Sequence, residues 1–143
     1  MFRLNLDPEQ IPPLVLAYLG DAVYELFVRS YLVSQGSSRV NGIHREAVSM
    51  VRATSQAKVL HALEGYLTPD EHRIMKRGRN AKSGHVPRHT EMIDYRLSTG
   101  LESLIGFLYA KGDYDRLQEI LVFVPKLWDD EEKEGDNHEG KAD

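Results

Sequence analysis

At 143 residues and 41% hydrophobic side chains, the chain has enough apolar material for one buried core and too little length for a comfortable second domain. The absence of cysteine excludes disulfides, thiolate zinc sites and cysteine nucleophiles, and fits a reducing cytoplasm. The net charge of −4 conceals a segregation: residues 1–128 hold 16 of the 18 basic and 14 of the 22 acidic side chains, so the acidic excess lies in 129–143. No apolar run is long enough to span a bilayer, and no basic segment with an apolar stretch opens the chain, so no membrane partner is expected.

In chain order, Asp7-Pro8-Glu9 reads as a turn, and Pro12-Pro13 supply the fixed φ that suits the first turn of a helix. A first helix is predicted over 13–34, stopped at Gly36, with Val15, Leu19, Val23 and Leu26 along one stripe and Asp21 on another side. A second helical region spans roughly Arg39 to Gly65, with a break near Thr54-Ser55. Thr68-Pro69-Asp70-Glu71 has the form of a capping box and opens a short helix to about Arg77. Gly78 to His89 shows no period and is punctuated by Gly78, Gly84 and Pro87, which predicts a loop. Helix resumes from about Thr90 to Ala110, ends at Gly112, and is followed by a last helix from Asp113 to about Phe123, closed by Pro125. No segment alternates as a strand does, so the predicted fold is all-α, a helical bundle over residues 1–128 followed by an acidic, disordered tail over 129–143.

Two features carry chemistry. Asp21 follows Gly20 inside an apolar run, and Glu102 lies between Leu101 and Ser103 in a second glycine-flanked apolar helix. A carboxylate at the edge of a packed surface is most often a salt-bridge partner, but two of them on apolar helices that pack together would suit Mg²⁺. Such an ion would supply an activated water and offset charge building on a phosphate. Glu25 sits one turn beyond Asp21 and suits a structural pair with Arg29. The six histidines have no metal-ligand spacing, and neither a nucleophile elbow nor a phosphate-binding glycine loop is present.

The second feature is basic. From Arg73 to Arg88 there are six lysines and arginines and no acid. A charge run is usually a solvated face, yet glycines, amides and hydroxyls here accompany Lys76, Arg77, Arg79, Asn80, Lys82, Ser83, His85 and Arg88, a mixture suited to a phosphate backbone. Few aromatics are interleaved, which favours backbone contact on a duplex over stacking on single strands.

With these residues in view, Leu16-Ala17-Tyr18-Leu19-Gly20-Asp21-Ala22-Val23 resembles the signature of the ribonuclease III family, and Leu101 to Tyr109 resembles its second acidic motif. The likeness covers most of residues 10–124, and Arg77 to Gly84 brings it nearest to Mini-ribonuclease III, the short branch without a double-stranded RNA-binding domain. The resemblance implies an all-helical, dimeric, Mg²⁺-dependent endoribonuclease, with Mn²⁺ as a substitute. It implies that Asp21 and Glu102 are catalytic metal ligands, and that the RNA-binding face is the basic segment. It further implies cytoplasmic action on double-stranded RNA in trimming precursor large-subunit ribosomal RNA, with a ribosomal protein as a candidate partner that shapes the substrate. Tyr18, Val23, Tyr24 and Phe27 are candidate homodimer contacts or, equally, intramolecular core. Ala17 and Leu14 stand where the family signature has glutamates, and Thr99 where the second motif has an aspartate. Those three replacements favour the main rival reading, a non-catalytic RNA-binding or ribosome-associated protein that keeps the fold; a second rival, a helical phosphohydrolase with another metal set, lacks the spaced histidines to supply one.

Overall fold

The computed structural model describes residues 3–36, 39–82, 86, 88 and 90–139, and within them the regular structure is helical, with no strand. A 3₁₀ turn, Pro8–Gln10, is capped by the Asp7 carboxylate, which accepts from the Glu9 N–H at 3.0 Å. Seven helices follow: α1 Pro13–Ser34, α2 Val40–Met50, α3 Ala53–Leu63, α4 Pro69–Asn80, α5 Met92–Lys111, α6 Tyr114–Leu121 and α7 Phe123–Glu139.

The axis of the bundle is α5. From Leu97 to Leu108 only Glu102 escapes full burial, and Leu101, Leu104 and Ile105 are completely enclosed by α1, α3 and α4. Each such side chain is worth about 1.5–3 kcal/mol of transfer free energy. Such enclosure demands close helices, and glycines provide it. A Cβ on Gly20 would collide with the Glu102 carbonyl oxygen, and one on Gly106 with the Leu16 carbonyl oxygen, so α1 and α5 touch backbone to backbone. Likewise a Cβ on Gly78 of α4 would run into the Ser103 side chain, and one on Gly100 would lie 2.8 Å from the Met75 carbonyl oxygen. Ser103, buried in this junction, donates to the Pro13 carbonyl at 2.9 Å.

This packing corrects several sequence expectations. The buried stripe of α1 is Leu16, Ala17, Gly20, Tyr24, Val28 and Leu32, whereas Val15 and Leu26 of the predicted stripe are exposed. Both faces of α1 are apolar, so periodicity does not choose between them; the glycine does, because only its face lets α5 approach. Gly78 is a packing residue inside α4 and does not start a loop: the helix runs on to Asn80 instead of ending at Arg77. The α2–α3 break falls at Val51–Arg52, ahead of the expected Thr54-Ser55. There Ser55 Oγ donates to the Ser49 carbonyl at 2.8 Å and Gln56 Nε2 to the Val51 carbonyl at 3.0 Å, taking up acceptors the helix end releases. Pro125 closes no helix: it is the third residue of α7, where the missing N–H has no intrahelical partner to lose. Past Trp128, where disorder was expected, α7 continues to Glu139. Tyr31 donates to Asp129 at 2.9 Å, and Lys58 pairs with Glu131 at the same distance, so the first acidic residues beyond Trp128 are tied to α1 and α3.

The predicted capping box is present, with the Thr68 hydroxyl and the Glu71 carboxylate bonding each other's backbone N–H. Glu71 also receives a two-pronged contact from Arg116 of α6, at 2.7 and 2.8 Å, while Arg116 lies 4.4 Å from the Tyr66 ring centre and donates to the Tyr66 carbonyl. Burial alone raises the Glu71 carboxyl, but Arg116 and Thr68 together outweigh it and hold it below the ordinary range.

Gly20→Ala and Gly42→Ala should move stability in opposite directions. The first drives a Cβ into the backbone of Glu102 and should cost roughly 2–3 kcal/mol; the second, with open space around it in α2, should gain up to about 1 kcal/mol. Thermal melting of the two variants checks this, and equal shifts would contradict the backbone contact.

Candidate active site

The α1–α5 crossing places Asp21 and Glu102 beside each other. Asp21 adjoins the glycine that meets the Glu102 carbonyl, so the contact that brings the helices together also brings the acids together. They line one cleft of about 330 Å³, closed by Val51 to Thr54 and Gln56 at the α2–α3 junction and by Thr90, Tyr95 and Ser98 around the start of α5.

Asp21 is exposed and Glu102 half-buried. Burial first, then the Asp21 charge, a hydrogen bond with Asp21 and the more distant Glu25 charge push the Glu102 carboxyl up to about 9. In the metal-free protein at neutral pH the pair therefore carries a proton, and a cation between the carboxyl groups would displace it. Below the pair, the Tyr24 hydroxyl is enclosed without a hydrogen-bond partner; burial, and after it the Glu102 charge, raises its phenol above the ordinary range. Glu25 takes the structural role expected of it, 3.4 Å from Arg29.

Among the described residues, no group of three or more His, Asp or Glu converges as a metal cage. Two carboxylates still suit Mg²⁺, which keeps several waters and commonly takes one or two protein carboxylates plus phosphate oxygens. The other signature positions add no charge: Ala17 is buried, Leu14 is exposed, and the Thr99 hydroxyl donates to the Tyr95 carbonyl of its own helix at 3.0 Å.

The basic residues fall into two groups. Lys76, Arg77, Arg79 and Asn80 sit on the last turns of α4 as a helical face instead of a loop, and Lys82 and Arg88 are exposed beyond it. Arg79 donates to Asn80 at 3.2 Å. Arg73, nearest in sequence, is neutralised by Glu9 at 2.7 Å and Asp70 at 3.2 Å. Ser83 and His85 lie outside the described residues. Of the candidate contact residues, Tyr18 is 84% exposed and Val23 and Phe27 line an apolar groove of about 840 Å³ with Tyr109, Leu117 and Leu121, but Tyr24 belongs to the core.

A model of the ribonuclease III domain matches residues 14–113, which contain both acids and the α4 basic face. The chain belongs to the ribonuclease III family. It is 40% identical over 138 residues to a Mini-ribonuclease 3 of Clostridium tetani, covering 95% of this chain and 91% of that one. It is 49% identical over 115 residues to a Mini-ribonuclease 3 of Symbiobacterium thermophilum, covering 80% and 88%. Among solved structures it resembles a protein from Fusobacterium nucleatum, with a TM-score of 0.74 and 28% identity over 82% of this chain and 93% of that one. The family is the one suggested by the two acidic motifs and the branch the one suggested by Arg77 to Gly84, and membership makes the chain an endoribonuclease of the ribonuclease III type.

Sequence reasoning missed Gln56, 3% exposed on the cleft wall of this ribonuclease III domain. Its signal was a polar residue one turn before Leu60 on a stripe continuing to Leu63.

The Glu102 shift fixes a pH dependence. Its folded value lies above the ordinary 4.5, so the folded protein keeps a proton that the unfolded chain gives up, and stability falls as pH rises from about 4.5 towards about 9. In chelator, Glu102→Gln should therefore melt above the wild type at pH 8, with the gap closing near pH 4.5. A gap independent of pH would contradict the burial of this carboxyl.

Proposed function

We propose that the protein is a Mg²⁺-dependent endoribonuclease that cleaves double-stranded RNA, acting in the cytoplasm in maturation of precursor large-subunit ribosomal RNA. The observation that carries this reading is the paired Asp21 and Glu102, brought together by a glycine crossing in a cleft that also holds polar backbone and side-chain groups. These two residues are the proposed catalytic and metal-binding set. When bound, Mg²⁺ would supply an activated water and offset charge on the scissile phosphate, with Mn²⁺ able to replace it. The protein's part is to hold two carboxylates in a half-buried cleft where a cation and a phosphate together satisfy them.

The duplex-binding face is the exposed side of α4 with its continuation: Lys76, Arg77, Arg79, Asn80, Lys82 and Arg88, together with Ser83 and His85. The absence of acids between Arg73 and Arg88 supports it, as does the pairing with carboxylates, among the described residues, of Arg73 alone of the α4 lysines and arginines. A homodimer formed through the apolar groove of α1, α6 and the start of α7 would cover Val23 and Phe27 and place two clefts on one duplex. None of the described helices is long and apolar enough to cross a membrane, in keeping with a substrate free in the cytoplasm. A ribosomal protein that shapes the RNA is a compatible partner.

Purified protein, sedimenting as a dimer, should cut a long RNA duplex in Mg²⁺ and stop in chelator. Asp21→Asn should fold normally and lose roughly a thousandfold in rate. Undiminished cleavage by the folded variant would sink the mechanism, and binding without cleavage by the wild type would favour the non-catalytic rival. Alanine at Arg77, Arg79, Lys82 and Arg88 together should weaken duplex binding and make the slope of log affinity against log salt shallower by about 3. An unchanged slope would move the RNA face elsewhere.

A further inference from the structure

The wall of the cleft opposite the carboxylates has a composition of its own. Val51, Arg52, Ala53 and Thr54 all line it, so the N-terminus of the 11-residue helix α3 opens into the cleft. Arg52, the residue at its cap position, has extended backbone and supplies no side-chain cap, and the first N–H to reach an intrahelical carbonyl is that of Gln56, which bonds Arg52 at 2.9 Å. The N–H groups of Ala53, Thr54 and Ser55 thus face the end of the helix, where its partial positive charge is greatest.

Beneath them lies Gln56, 3% exposed. The Val51 carbonyl can only accept, so the Gln56 amide turns its Nε2 there at 3.0 Å and leaves Oε1 buried with no partner. A buried acceptor left unmade keeps its full desolvation penalty, which a donor entering the cleft would relieve. Arg52 and Thr54, both exposed, line the same wall.

We propose that this wall is a sugar–phosphate subsite: the open end of α3, with Arg52, takes a backbone phosphate, and Gln56 Oε1 accepts a hydrogen bond from a neighbouring ribose 2′-hydroxyl. Anion-binding N–H groups and an unpaired acceptor, side by side, match the alternation of phosphate and hydroxyl donor along a ribose strand; a deoxyribose strand offers the phosphate and lacks the donor. The proposal rests on the RNA-cleaving reading and adds to it the means by which the cleft recognises ribose.

The test is binding, read by fluorescence polarisation in chelator so that no strand is cut, with RNA duplexes in which single 2′-deoxy sugars walk along one strand. Wild type should bind the all-ribose duplex about tenfold more tightly than the duplex lacking one particular hydroxyl, as expected for one hydrogen bond to a buried acceptor. Gln56→Met, close in volume, should lose that preference while binding the singly deoxy duplex as wild type does. A flat walk on the wild-type protein, which needs no variant to fold, overturns the proposal. So does a Gln56→Met protein with native-like melting that keeps the preference. Cleavage of the same duplexes in Mg²⁺ separates the two readings: a preference lost in Gln56→Met without any wild-type cleavage supports the subsite and refutes the nuclease, and wild-type cleavage with a flat walk does the reverse.

Discussion

The backbone contact between α1 and α5 governs the rest of the molecule. Gly20 and Gly106 remove the only atoms that would keep the two helices a side chain apart, and each then meets a carbonyl of the opposite helix. That proximity encloses Leu101, Leu104 and Ile105, and α4 completes the enclosure through a second pair of small contacts at Gly78 and Gly100. The site is a by-product of the same geometry. Asp21 follows Gly20, and Glu102 carries the carbonyl that Gly20 abuts, so the carboxyl pair is held by a backbone-to-backbone junction of two helices and not by loops.

Holding two carboxyl groups together in a half-buried place works against folding, and the molecule tolerates it locally. Glu102 keeps its proton well into the alkaline range, and the phenol of Tyr24 beneath it goes without a partner. Elsewhere several ionic groups are matched closely. Arg116 satisfies Glu71, Tyr66 and Glu119 at once, and Arg73 bridges the 3₁₀ turn to α4 through Glu9. Among the described residues the two buried side-chain oxygens without a partner, on Tyr24 and Gln56, lie beneath Glu102 and on the cleft wall, a placement expected where a ligand is to relieve the mismatch. In the proposed function the Asp21–Glu102 pair would receive a cation, and the open end of α3 the anion beside it.

Much of the architecture was legible because it rests on local rules. Pro13 at the first position of α1, the Thr68–Glu71 box, and Gly112 at φ +80° after α5 are decided by a few neighbouring residues. Misreadings arose where one residue type serves two purposes. Gly78 has the composition of a loop residue but the role of a packing contact, and Pro125 ends helices in general yet fits the first turn of α7. Neither alternative can be separated without knowing what lies opposite.

The amino-acid sequence by itself determined the helical class, the two acidic motifs and the basic segment, because spacing, capping and charge are properties of neighbours along the chain. Only the tertiary structure decided which apolar stripe of α1 is core, that Tyr24 is interior while Val23 and Phe27 line a groove, and that Gln56 stands in the cleft with an unsatisfied oxygen. Those outcomes depend on which surfaces meet. With α1 apolar on both faces, the choice fell to the face whose glycine allows two backbones to touch.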